Sequence, residues 1–138
     1  MVTLETTFAG LKLKNPLIAA SSGLTNSMMK IKELEDAGIG AILLKSLFEE
    51  QIESHSGKLT QLTDYPEAGD YINAYVKMNH TEKYLDLIRS AKAECEVPII
   101  ASINCYKQSR WIEFARNVQE AGADALELNL FLLNAGEY

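Results

Sequence analysis

No apolar run in this sequence approaches the roughly 20 residues that a membrane-spanning helix needs. The opening residues, Met1-Val2-Thr3-Leu4-Glu5, lack the basic and apolar regions of a secretory signal. The expectation is a cytoplasmic protein with no membrane partner. Only two cysteines occur, Cys95 and Cys105, ten residues apart with no histidine nearby. Zinc-ligand spacing is therefore absent, and reduced thiols are the simple reading. Clusters of lysine and arginine are missing and the net charge is −6. Binding to nucleic acid needs a basic face, so that class of partner is disfavoured. No Gly-x-Gly-x-x-Gly turn follows any apolar segment, which argues against a dinucleotide-binding sheet.

What is present is a near repeat. Asp36-Ala37-Gly38-Ile39-Gly40-Ala41-Ile42-Leu43 resembles Glu120-Ala121-Gly122-Ala123-Asp124-Ala125-Leu126-Glu127. Each copy reads as a helix end, a glycine stop and an apolar strand. That order is the joint of a parallel βαβ unit, because a parallel sheet is re-entered only through a crossover. The polar groups Lys45-Ser46 and Asn129 stand at or just past the two strands. In parallel α/β folds ligands are held at the strands' carboxyl ends.

The 138 residues suffice for one domain, spanning 1–138. Thr3 to Phe8 and Leu11 to Leu13 read as a hairpin around Ala9-Gly10, broken by Asn15-Pro16. Leu17 to Ala20 is a strand, followed by a loop of small residues. Asn26 or Ser27 is placed to cap a helix with Met28, Ile31, Leu34 and Ala37 on one face, ended by Gly38. Ala41 to Leu44 is the second strand. Phe48 to Glu53 reads as a short helix, and 54–70 as a polar excursion broken by Gly57, Pro66 and Gly69. Thr81 to Ala93 is a helix with Tyr84, Leu85 and Ile88 toward the core. Pro98 to Ile103 is the third strand. Ser109 caps a helix carrying Ile112, Phe114, Ala115, Val118 and Ala121. Ala125 to Leu130 is the fourth strand. A complete (β/α)₈ barrel takes about 250 residues. The expected fold is α/β of the TIM (β/α)₈ barrel family, present as an amino-terminal half barrel of four βα strands behind a leading hairpin. An open doubly wound sheet is the structural competitor.

Four segments in register carry a family resemblance: Asn15-Pro16-Leu17-Ile18-Ala19-Ala20-Ser21-Ser22-Gly23-Leu24, Leu44-Lys45-Ser46, Pro98-Ile99-Ile100-Ala101-Ser102-Ile103-Asn104 and Ala125-Leu126-Glu127-Leu128-Asn129-Leu130. Together they resemble the first half of dihydroorotate dehydrogenases, FMN-containing (β/α)₈ barrels of pyrimidine biosynthesis with a hairpin across the amino-terminal mouth. The resemblance implies an oxidoreductase that takes a hydride from a small carbonyl-containing substrate. It implies that the backbone at Ala20 and Ser21 passes close to the flavin. Lys45 would reach flavin and substrate as the catalytic residue, and Ser46 would bond the flavin edge. Asn104 would contact flavin, Asn129 both flavin and substrate, and Asn73 would bind substrate. The residue types suit this work. Amides satisfy either sign of the ring's alternating donors and acceptors, and a lysine stabilises negative charge on a reduced ring.

The sequence departs from that family in two places. Cytosolic members follow the fourth strand with Asn-Leu-Ser-Cys-Pro-Asn, whose cysteine is the general base. Here the stretch is Asn129-Leu130-Phe131-Leu132-Leu133-Asn134, and Leu132 cannot take a proton. The phosphate-binding loops of such barrels follow strands seven and eight, so this chain alone is expected to bind FMN poorly and to be inactive. Two alternatives stand beside this reading. One is a flavin-free lyase or isomerase acting on a phosphorylated metabolite through Lys45. The other is a non-catalytic half barrel that associates as a homodimer or larger species through its open edges. Glu127 shares a face with Asn129, and if that face is interior its carboxylate needs a partner. Cys105 reads as a small buried thiol before a proton carrier, Trp111 and Phe114 as packing residues, and His55 and His80 as solvated.

Overall fold

The structure, a computed structural model, describes residues 2–48, 66–105 and 108–130, without the side chains of 66–77 and 108–109. Strands β1 (Thr6–Phe8) and β2 (Leu11–Leu13) pair antiparallel, with Phe8 opposite Leu11. Ala9 and Gly10 both have positive φ, 48° and 80°. A two-residue loop with both φ values positive matches the twist of its strands, which is why the hairpin forms there.

The near repeat marks two identical helix stops. Helix α1 (Met28–Asp36) ends with Gly38 at φ 91°. Gly38 N–H donates to the Glu35 carbonyl and Ile39 N–H to the Leu34 carbonyl. Helix α3 (Gln108–Ala121) ends the same way at Gly122, φ 94°, with Gly122 N–H to Gln119 and Ala123 N–H to Val118. These paired bonds satisfy carbonyls that a helix end leaves without partners, and they need a left-handed residue. Each stop then feeds directly into a strand: β4 (Ala41–Leu43) after the first, β7 (Ala125–Leu128) after the second.

The remaining elements are β3 (Ile18–Ala19), β5 (Leu47–Phe48), helix α2 (Pro66–Glu94) and β6 (Ile99–Asn104). β3 pairs with β4, β4 with β6 and β6 with β7, all parallel. β5 also pairs with β6. Ile103 of β6 faces Leu128 on one side and Leu47 on the other, so β5 lies along the same edge of β6 as β4. β4 and β5 are one interrupted strand. The sheet therefore runs in chain order, each strand beside the next, rather than reversing at a switch point as a doubly wound sheet does.

Strand alternation splits the side chains between two cores. Ile99, Ala101 and Ile103 pack outward with Ile31, Tyr84, Leu85, Ile88, Phe114 and Val118 of the helices. Ile100 faces the other way, with Ala41, Leu13, Ile18, Leu43 and Ala125. The hairpin lies against the amino-terminal end of this inner face through Leu11 and Leu13.

Several sequence expectations need correction. Leu47–Phe48 is a strand rather than the start of a helix; residues 49–65 lie outside the described residues. Pro66 and Gly69 do not break the chain, because α2 runs from Pro66 through Gly69 to Glu94. Proline is tolerated at the first helical position, where its missing N–H is not needed. A single glycine costs only about 1 kcal/mol relative to alanine. Ser109 lies inside α3, which begins at Gln108, and Ile112 is exposed. Ser27 occupies the cap position of α1 with extended backbone but makes no side-chain cap bond. Ala37 is exposed rather than on the buried face.

Candidate functional site

The interruption between β4 and β5 builds the site. The ladder with β6 stops at Leu43 opposite Ile100 and resumes at Leu47 opposite Ile103. Four steps on one strand meet three on the other, so one residue is extra. That is a β-bulge, a device that re-aims side chains at sheet rims. Leu43 faces inward and Leu44 packs outward among the helices. Without the extra residue Ser46 would also face outward. With it, Ser46 is buried on the inner side against Ser102, Leu47 packs outward, and Lys45 is exposed as the inserted residue.

The loop after β3 catches the bulge. Lys45 N–H donates to the Thr25 carbonyl at 3.2 Å, and Ser46 N–H donates to Ser21 Oγ at 2.8 Å. Thr25 is fully buried and closes its own turn with Ser22. On the opposite side the bulge leaves Ser102 N–H without a ladder carbonyl. Tyr84 of α2 fills that gap: its hydroxyl accepts from Ser102 N–H at 2.8 Å and donates to the Ser102 carbonyl at 3.0 Å. Burial pushes the Tyr84 phenol up to about 12, outweighing the Ser102 backbone bond, and the nearby Glu127 charge adds to the rise. The group therefore stays a neutral donor and acceptor.

A continuous polar chain crosses the strand ends. Ser21 Oγ lies 3.2 Å from Ser46 Oγ, which lies 2.5 Å from Ser102 Oγ, which donates to Glu127 Oε1 at 2.6 Å. Asn129 Nδ2 donates to Ser46 Oγ at 3.4 Å, the longest link. Asn104 Nδ2 donates to the Asn129 carbonyl at 2.6 Å. Toward the amino-terminal side of this cluster lies an open, mostly apolar hollow of about 390 Å³, lined by Ile18, Ala20, Leu43, Ile100, Ala125 and Glu127 among others. Polar groups converging beside an apolar concavity are the usual character of a small-molecule site.

The structure thus brings together most of the residues singled out from sequence. Ser21, Ser46, Asn104 and Asn129 are hydrogen-bonded in one network, Ala20 lines the hollow beside it, and Lys45 sits on its rim. Glu127 has the partner its interior position required, Ser102. Asn73 falls within helix α2 rather than in a loop, and its side chain lies outside the described residues. Leu132 lies outside them too. Sequence reading missed Ser102 and Tyr84. Ser102 was legible as the lone hydroxyl sharing a period-two face with Asn104. Tyr84 looked like an apolar helix position, and only its need for a hydroxyl partner hinted at more.

A second charged hollow lies at the opposite ends of the strands, between Lys12, Lys14, Lys32, Glu35 and Glu94. Here Glu35 accepts from Lys32 Nζ at 2.7 Å and from Glu96 and Val97 N–H at 2.6 and 3.2 Å. The Lys32 bond, outweighing the cost of burial and helped by the two backbone donors, holds the Glu35 carboxyl at about 2. This clamp ties α1 to the α2–β6 connection and is structural.

The family model described as Dihydroorotate dehydrogenase matches residues 3–135. The chain belongs to the dihydroorotate dehydrogenase family. It is 33% identical over 132 residues to the dihydroorotate dehydrogenase B (NAD(+)) catalytic subunit of Thermoplasma volcanium, covering 94% of this chain and 42% of that protein. It is 30% identical over 128 residues to the putative dihydroorotate dehydrogenase A (fumarate) of Aeropyrum pernix, covering 92% and 40%. It is 27% identical over 143 residues to the NAD-dependent dihydropyrimidine dehydrogenase subunit PreA of Escherichia coli K12, covering 91% and 31%. The chain spans about two fifths or less of the length of these family relatives. Among the described residues no helix is long and apolar enough to cross a membrane.

Proposed function

We propose that this chain forms the amino-terminal half of an FMN-dependent (β/α)₈-barrel oxidoreductase of the dihydroorotate dehydrogenase type. It would act in the cytoplasm on dihydroorotate or a related small carbonyl-containing substrate. The observation that carries the proposal is the convergence of Ser21, Ser46, Asn104 and Asn129. They come from the ends of four successive parallel strand lines and meet in one network, with Lys45 at its rim. The donor set fits an isoalloxazine ring. Two amides and two hydroxyls supply both donors and acceptors, and small Ala20 and Ser21 leave room for a flat ring. When bound, the flavin supplies the hydride-accepting centre; the chain's part is orientation and electrostatics. Lys45 places a positive charge at the rim, where it would stabilise negative charge on ring or substrate. Ser46 and Asn129 would hold the ring edge, Asn104 would fix the Asn129 backbone, and Asn73 would approach substrate from α2. The proton acceptor would come from another residue, since Leu132 cannot serve.

A half barrel has unfinished surfaces. β3 and β7 are each paired on one side only among the described strands, and Leu128, at the last pairing of β7, and Leu130 beyond it are 53% and 77% exposed. Apolar groups beside an open strand edge recruit further strands. We propose that these surfaces take the remaining βα units of a longer polypeptide, and that the isolated chain self-associates through them as a homodimer or larger species.

Quenching of FMN fluorescence tests the proposal on two polypeptides, this chain and the product of its full reading frame. The 138-residue chain should bind more weakly than micromolar, because the phosphate loops after strands seven and eight are not in it. The longer product should bind tightly and carry flavin absorbance. A flavin-free longer product would overturn the assignment; micromolar binding by this chain would overturn the half-site reading.

A further inference from the structure

Hydroxyl groups hold one proton each, so a chain of hydroxyls ending on a carboxylate has only one consistent direction. Ser102 spends its proton on Glu127 Oε1 at 2.6 Å. At 2.5 Å Ser46 must then donate to Ser102, because Ser102 has no proton left to give. Ser46 Oγ, its own proton spent, accepts from Ser21 at 3.2 Å, while Ser21 Oγ accepts from Ser46 N–H. The remaining lone pair of Ser46 takes a donor from Asn129, whose amide therefore presents Nδ2 to Ser46 and keeps Oδ1 as an acceptor unspent among the described residues.

From this order we infer that Glu127 is a positioning residue which fixes, through Ser102 and Ser46, the hydrogen-bond polarity of the Asn129 amide. The site edge then offers a carbonyl acceptor and takes a ligand by an imide or amide N–H. The inference rests on the flavin reading only for the ligand's identity, since the polarity is a property of this chain alone.

The surroundings make Glu127 the controlling charge. Of the described residues lining the inner hollow, Glu127 alone is ionisable. Tyr84 stands behind Ser102 and remains neutral; Lys45, on the neighbouring strand line, is exposed at the rim. Protonating Glu127 gives the carboxyl a proton of its own to donate. Ser102 can then turn its proton to Ser46, and Ser46 loses its reason to accept from Asn129.

The test is side-chain NMR of this polypeptide without ligand, following the Glu127 carboxyl carbon and the Asn129 side-chain amide through an acid titration. The expected result is an Asn129 Nδ2 transition with the same midpoint as Glu127. In Glu127→Gln that transition disappears while the fold is retained. In Ser102→Ala, Glu127 still titrates but Asn129 no longer follows. An Asn129 amide that ignores Glu127 in the unaltered chain overturns the inference, whatever the variants do. So does an Asn129 transition that persists in Ser102→Ala, because it reports the carboxylate's field across space. Neither result depends on whether flavin binds.

Discussion

Replacing Tyr84 by phenylalanine isolates the most local claim about how the site is held. The ring stays, so the packing of α2 against the sheet, made with Leu85 and Ile88 of the same helix, is preserved. What goes is one hydroxyl that accepts from Ser102 N–H at 2.8 Å and donates to its carbonyl at 3.0 Å. Ser102 is fully buried and the bulge has removed its ladder partner, so no water replaces the lost acceptor. An orphaned buried donor costs about 1–3 kcal/mol, a sizeable part of the 5–15 kcal/mol typical of a domain. Urea unfolding should show the midpoint falling by that equivalent with an unchanged slope. Native-state hydrogen exchange should show Ser102 N–H, protected in the unaltered chain, exchanging far faster in the variant. The pH profile supplies a sign check. The folded phenol lies at about 12, above its usual 10.0. Its contribution is fully present below pH 10 and is lost as pH rises toward 12. Tyr84→Phe should remove that alkaline limb. A stability loss under about 0.5 kcal/mol with Ser102 N–H still protected would refute the account, since bonds removed without cost were not filling the ladder gap.

Three further outcomes are expected. A Cβ on Gly40 would run into the Asn15 carbonyl and side-chain oxygens and the Leu17 carbonyl, so Gly40→Ala should destabilise by about 1–3 kcal/mol in urea unfolding. Ala9 holds a φ of 48° before Gly10, so Ala9→Asn, which makes an Asn-Gly hairpin turn, should stabilise by about 1 kcal/mol and raise Tm. Glu35 is held at about 2, below the usual 4.5. Its contribution is present above pH 4.5 and lost as pH falls toward 2, so Glu35→Gln should flatten the acid limb of a Tm–pH profile.

Much of the scaffold was legible in the chain because its signals are local. Gly38 and Gly122 announce left-handed stops and Ala9-Gly10 a hairpin, and the near repeat around the two stops states the βαβ order. The helix faces of Tyr84, Leu85, Ile88, Phe114 and Val118 followed from period. The errors lie where a long-range effect overrode a local one. Gly69 is a breaker only if nothing else holds the helix, and α2 runs through it. The bulge at Lys45 is invisible in one strand, because it exists only as a mismatch of register against β6. For the same reason Ser46 was named from family resemblance, while the cause of its inward turn, and the roles of Ser102 and Tyr84 beside it, required the assembled sheet.

The central claim is that the bulge turns Ser46 inward to complete a flavin-binding edge with Asn129. The most direct measurement is the FMN dissociation constant of the full reading-frame product with Ser46 intact and as Ser46→Ala, a substitution that removes the hydroxyl and adds no atom to this buried position. Losing the hub of the network should weaken FMN binding at least about tenfold, equivalent to about 1.4 kcal/mol. Equal affinity in the two proteins, with both folded, would contradict the claim and place the cofactor away from this edge.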